Sequence, residues 1–229
     1  MVTRRLALEP ETRMAEEAAS ASAAVARQLA ANAGPVADLA ERLRDRPPRL
    51  VLTCARGSSD HAATFAKYLV EQRIGVPVAS FAPSLSSLYG RALGDAGTLF
   101  LAISQSGQSP DIVTAAARAR EAGAFVVALV NTPGSPLART ADCVIPLHAG
   151  EERSVAATKS FIATLAALLQ LVVAWSGAGE PMHGLHDLPA ALARSWVADW
   201  TAPARELATV QSLFVVARGP GLAVAQEDR

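Results

Sequence analysis

The stretch Ile103-Ser104-Gln105-Ser106-Gly107-Gln108-Ser109-Pro110-Asp111 puts hydroxyls, amides and a glycine between an apolar run and a helix start. Ser109 suits an N-cap, Pro110 the first helical position and Asp111 the first turn. The free backbone N–H groups and the dipole of a helix N-terminus favour an anion. Serine hydroxyls donate to phosphate oxygens, so the chemistry this stretch suits best is phosphate binding. It also reads as an ordinary capped turn. A second segment, Cys54-Ala55-Arg56-Gly57-Ser58-Ser59-Asp60, has the same layout. Gly57 permits close approach of backbone to a ligand, and Ser58 or Ser59 can cap a helix and face a cleft. A third, Glu151-Glu152-Arg153-Ser154-Val155-Ala156-Ala157-Thr158-Lys159, places acidic residues ahead of a long apolar helix, as its dipole prefers.

Other reactive residues carry weaker signals. Arg56 can meet a phosphate or a surface carboxylate. Lys159 reads equally as a cleft cation or a solvated helix residue. His61 is expected to pack or cap within its own helix. His183 and His186 lack a third ligand for a metal, so no metal site is expected. Trp175, Trp196 and Trp200 read as core or interface anchors.

These segments must be positioned by the elements around them. Short apolar runs bounded by turn residues predict strands at Leu50–Cys54, Val76–Phe81, Thr98–Ile103, Phe125–Val130 and Cys143–Leu147. Helical patterns lie between them, at Asp60–Ile74 and Pro110–Ala122, and a long one follows at Val155–Trp175. Alternating strands and helices imply an α/β fold: a doubly wound, five-stranded parallel sheet of flavodoxin type, order 2-1-3-4-5. In that order the first and third strands are neighbours at the switch point, so the two Ser-rich turns would form one pocket. Ahead of the sheet, helices are expected at 11–32, ended by Gly34-Pro35, and at Val36–Arg44. Beyond a linker at 176–181, one helix is expected over Leu188–Thr209 and a strand at Leu213–Ala217. The domains are thus read as a helical extension at 1–35, a sheet domain at 36–180, and a linker helix with the start of a second unit at 181–229.

The 229 residues carry 21 Lys+Arg and 21 Asp+Glu, and this balance argues against a nucleic-acid partner. A hydrophobic share of 51% excludes disorder. The longest apolar run, Phe161–Trp175, falls short of a membrane span and reads as a buried helix. Two cysteines without metal spacing and no signal-peptide pattern point to the cytoplasm.

Taken together and in this order, the three segments resemble the SIS (sugar isomerase) family of phosphosugar-binding domains. Within it they are similar to the isomerase half of glutamine–fructose-6-phosphate aminotransferases and their stand-alone relatives. The family's C-G-T-S-x-H-A is matched by Cys54 to Ala62 with an Ala-Arg insertion. Its S-Q-S-G-E-[TS]-x-D is matched by Ser104 to Asp111, and its E-x-x-V-A-[SA]-T-K by Glu152 to Lys159. The resemblance implies that Ser58, Ser59, Ser104, Gln105, Ser106 and Ser109 hold the phosphate of a sugar 6-phosphate, with Val155 contacting the sugar through its backbone. Ala157 stands where the aminotransferases have serine. The resemblance further implies a homodimer, no cofactor, and isomerase or deaminase chemistry on an amino-sugar phosphate without a glutaminase. The family's general base would lie beyond Arg229. The catalytic residue is therefore unassigned, and binding without turnover is the expectation for these 229 residues.

Overall fold

A computed structural model describes residues 12–177 and 183–227. Three helices open the chain: α1 (Arg13–Ala19), α2 (Ala21–Ala31) and α3 (Ala33–Asp45). The sheet domain follows as β1 (Leu50–Cys54), α4 (Ser58–Arg73), β2 (Val78–Ser80), α5 (Ser84–Ser87), β3 (Thr98–Ser104), α6 (Pro110–Glu121), β4 (Phe125–Val130), α7 (Pro136–Thr140), β5 (Cys143–Pro146) and α8 (Lys159–Ser176). The chain then continues through α9 (His183–Val197), α10 (Thr201–Leu207) and α11 (Gly221–Glu227).

The five strands are parallel in the order β2-β1-β3-β4-β5, as the sequence predicts. Thr53 lies beside Leu101 and Cys54 beside Ala102, while Ile103 lies beside Leu129. β3 is buried along its whole length because both sheet faces are covered. Leu99, Leu101 and Ile103 point to one face, where Leu43 of α3, Leu69 of α4 and Leu168, Leu171 and Trp175 of α8 close the core. Phe100 and Ala102 point to the other, against Ile112 and Ala116 of α6 and Leu137 of α7. Successive strand side chains alternate faces, so one apolar run feeds both cores.

The helix α8 is long and apolar enough to cross a membrane by composition, and most of it is buried in this core. α2 packs along it. Gln28 Nε2 donates to Ala163 O at 2.8 Å, and Gln170 Nε2 donates to Leu29 O at 2.9 Å. Gly34-Pro35 does not end a helix as the sequence suggests: it lies in the first turn of α3, where proline has no N–H bond to lose.

Two further expectations are corrected. The single helix over Leu188–Thr209 is broken between α9 and α10, where Asp199 Oδ1 accepts from Thr201 N at 2.9 Å and starts a new helix. The run Leu213–Ala217 forms no strand. Phe214 and Val216 are 95% and 88% exposed. A strand needs neighbours to pair its backbone, and this run meets neither edge of the sheet. The expected linker falls largely on residues 178–182, outside the described residues, as do residues 1–11 of the helical extension.

Candidate functional site

Each Ser-rich turn sits where a central strand hands over to a helix. β1 ends at Cys54, and Gly57 then turns the chain with φ 56°. No atom lies within 4 Å of where a Cβ would stand, so the backbone angle rather than space requires glycine there. Asp60 N donates to Gly57 O at 2.8 Å, starting α4 with Ser58 and Ser59 in its first turn. The Cys54 thiol beneath is pushed up to about 12, by burial first and by the Asp111 and Asp60 charges second. It is therefore a packing group at neutral pH, not a nucleophile.

The second turn is tied down on all sides. Gly107 N donates to Ser104 Oγ at 3.1 Å and Gln108 N to Ser106 Oγ at 3.3 Å. Asn131 N donates to Gln105 O at 2.9 Å, and Leu137 N to Gly107 O at 3.1 Å, which locks the turn against the segment after β4. Ser109 takes the N-cap position of α6 with extended backbone, and its side chain makes no cap bond.

The third segment has no regular structure before Lys159, and two carboxylates shape it. Glu17 of α1 accepts from Arg153 N at 2.7 Å, from Ser154 N at 3.1 Å and from the Ser154 hydroxyl. The Ser154 hydroxyl and then the Arg153 N–H hold the Glu17 carboxyl below the usual carboxylate range. Glu152 accepts from Thr158 N at 2.9 Å and from the Ser160 hydroxyl, and so anchors the start of α8.

Between these segments lies a cavity of about 190 Å³, lined by Arg56, Ser58, Ser59, Gln105, Ala157, Ser160, Phe161 and Thr164. Whole-ligand sites typically measure about 300–1,000 Å³, so this one fits a single charged group with part of its carrier. It lies at the carboxyl ends of β1 and β3, beside the first turns of α4 and α8, at the end of the sheet where parallel sheets bind ligands. A larger hollow of about 740 Å³ opens at the other end of the sheet, beside Thr98 and Phe125 at the starts of β3 and β4. It has neither helix N-termini nor a switch point.

Of the residues the sequence singles out, Ser58, Ser59 and Gln105 line the cavity. Ser104 is buried beneath it, and the Ser104 and Ser106 hydroxyls accept backbone bonds inside their own turn. Val155 is 95% exposed on the outer side of the third segment. Lys159 is neither a solvated residue nor a lining one: it is buried at the start of α8. Arg56 meets a carboxylate, Asp111 of α6. His61 does not cap its helix. Its Nδ1 lies 2.7 Å from Glu227 Oε2, joining α4 to α11. Sequence reasoning missed Ser160 and Thr164, although their spacing of four places both on one helix face. Among the described residues no group of three or more His, Cys, Asp or Glu comes together as a metal site would require.

Residues 46–174 match the family model described as the SIS domain. Glutamine–fructose-6-phosphate aminotransferase (isomerizing) of Symbiobacterium thermophilum is 36% identical over 194 residues, covering 80% of this chain and 32% of the relative. The chain thus spans about a third of the length of the curated relatives it matches. A crystal structure from Silicibacter pomeroyi DSS-3, of a protein provisionally described as a phosphosugar isomerase, superposes with TM-score 0.89 at 43% identity, covering 93% of this chain and 65% of that one. The C-terminal domain of glucosamine-fructose-6-phosphate aminotransferase from Francisella tularensis shares the fold, with TM-score 0.69 at 22% identity, over 94% of this chain and 64% of that one.

Proposed function

The chain belongs to the SIS domain family, and on that premise we propose that it binds a hexose or hexosamine 6-phosphate, as a cytoplasmic member of the lineage that isomerises or deaminates amino-sugar phosphates. The observation that carries this reading is the cavity itself. Ser58, Ser59, the Gln105 side chain and the Arg56 guanidinium line it where the first turns of α4 and α8 meet the end of a parallel sheet, while the Ser160 and Thr164 hydroxyls on its far wall donate to Glu152 and to Ser160 O. Such a set suits a phosphate, and the cavity's size leaves the sugar ring outside it, toward the third segment. Ser104 and Ser106 act from beneath, their hydroxyls accepting from Gly107 N and Gln108 N in the turn that carries Gln105, and Ser109 stands beside them at the α6 N-cap. Both cysteines are free, which fits a reducing compartment.

The chemistry this positioning serves is proton transfer between adjacent carbons. In glucosamine 6-phosphate, opening of the ring exposes C1 as an aldehyde. A base removes the proton from C2, a proton is delivered to C1, and the resulting C2 imine takes up water and releases ammonia, leaving fructose 6-phosphate. Anchoring the phosphate, remote from C1 and C2, holds those carbons in register and lends binding energy to the reaction.

A second reading, recognition without turnover, rests on a specific observation: among the described residues no carboxylate or imidazole lines the cavity. The two are separated by calorimetric titration with glucosamine 6-phosphate beside a coupled assay for fructose 6-phosphate. Binding is expected, and replacing Ser59 with Ala is expected to remove a charge-assisted bond of roughly 1.5–3 kcal/mol. Release of fructose 6-phosphate decides for the enzyme; binding without release decides for recognition. No binding at all refutes both.

A further inference from the structure

We propose that Arg56 gives this site its formal positive charge and sets a preference for doubly charged phosphate monoesters over singly charged esters of the same shape. The inference rests on the phosphosugar reading above. Among the described residues, every polar side chain lining the cavity apart from Arg56 is neutral. Neutral hydroxyls and amides grade anions mainly by shape, whereas a fixed guanidinium also grades them by charge.

Arg56 lies in the turn between β1 and α4, with its side chain 62% exposed. Its Nη2 faces Asp111 Oδ2, in the first turn of α6. That oxygen is buried and accepts no aligned hydrogen bond among the described residues. The contact is therefore one of charge, which places the guanidinium on the cavity wall without saturating it. A guanidinium carries five N–H donors, more than one carboxylate oxygen can occupy. The arrangement has a second consequence. Asp111, in the first turn of α6, is a carboxylate next to a cavity-lining residue, and left uncovered it would repel a phosphate. Arg56 offsets that charge and places its guanidinium, rather than the carboxylate, on the cavity wall.

The test is calorimetric titration of the 229-residue chain with glucosamine 6-phosphate and with glucosamine 6-sulfate, its singly charged counterpart, for the unmodified protein, Arg56→Ala and Arg56→Lys. The unmodified protein is expected to favour the phosphate. Arg56→Ala is expected to weaken phosphate binding roughly ten- to hundredfold and to bring the two affinities close together. Arg56→Lys keeps the charge without the planar fork and is expected to fall between. Because the residue is exposed, circular dichroism of both variants is expected to match the parent. Phosphate binding by the parent with an unchanged phosphate-to-sulfate ratio in Arg56→Ala overturns the assignment of Arg56 alone. Failure of the parent to bind any sugar phosphate overturns the phosphosugar reading, and this inference with it.

Discussion

Replacing Gly107 with Ala tests whether the second Ser-rich turn is built as its hydrogen bonds imply. Gly107 has φ 62°, a left-handed conformation that costs an L-residue about 1–2 kcal/mol. A Cβ there would also lie 2.7 Å from Ser135 Cβ, closer still to its Oγ, and 3.2 Å from Val130 Cγ1. Neither neighbour can yield freely. Val130 is buried in β4, and Ser135 caps α7 by accepting from Ala138 N at 3.3 Å. Overpacking of this kind costs about 1–3 kcal/mol. Together the strain and the clash come to about 2–5 kcal/mol, with displacement of Gln105, whose carbonyl is tied to the same segment at Asn131. Urea denaturation followed by circular dichroism reads the stability, and titration with glucosamine 6-phosphate reads the site. Adding Ser135→Gly removes the two nearest clashing atoms and keeps the strain and the Val130 contact. The double variant is therefore expected to regain part of the steric cost, less the roughly 1 kcal/mol lost with the cap. A loss below about 0.5 kcal/mol, the scatter of ordinary surface substitutions, or no coupling between the two positions, would refute this account of the turn.

Glu17→Gln is expected to lower the thermal midpoint at neutral pH. The folded-state carboxyl of Glu17 titrates below its ordinary range, so its contribution is full above that range and lost as pH falls through the folded value. The gap between variant and parent should close in acid, and a gap that widens there would contradict the role of Glu17. Leu101→Ala, at a fully buried position in β3, is expected to cost about 2–5 kcal/mol in chemical denaturation. His61→Ala is expected to speed amide exchange in α11 while leaving β3 protected, because the Glu227 contact fastens that helix to α4. Light scattering at micromolar concentration is expected to report a dimer, which would cover exposed apolar side chains such as Trp200 and Val197. A monomer would count against it.

The sheet and both Ser-rich turns were legible in the sequence because their signals are local. An apolar run of five to seven residues between turn formers specifies a doubly buried strand, as at Leu50–Cys54 and Thr98–Ser104. A serine, proline and aspartate in succession specify where the next helix starts, as at Ser109. The same local reasoning misjudged Leu213–Ala217, since an apolar run becomes a strand only when a neighbouring strand pairs its backbone. It also read Lys159 as a cleft cation or a solvated residue and His61 as packing or capping within its own helix, whereas Lys159 is buried and His61 meets Glu227. Which atoms surround a side chain depends on elements far along the chain: Glu17 holds Ser154, Glu227 meets His61, and Ser160 and Thr164 of α8 close a cavity opened by Ser58 and Gln105. Those distances are set by helices packing across a finished sheet. The residues able to bind an anion were therefore written in the sequence, while the cavity they share and the charge at its wall were decided only by the tertiary structure.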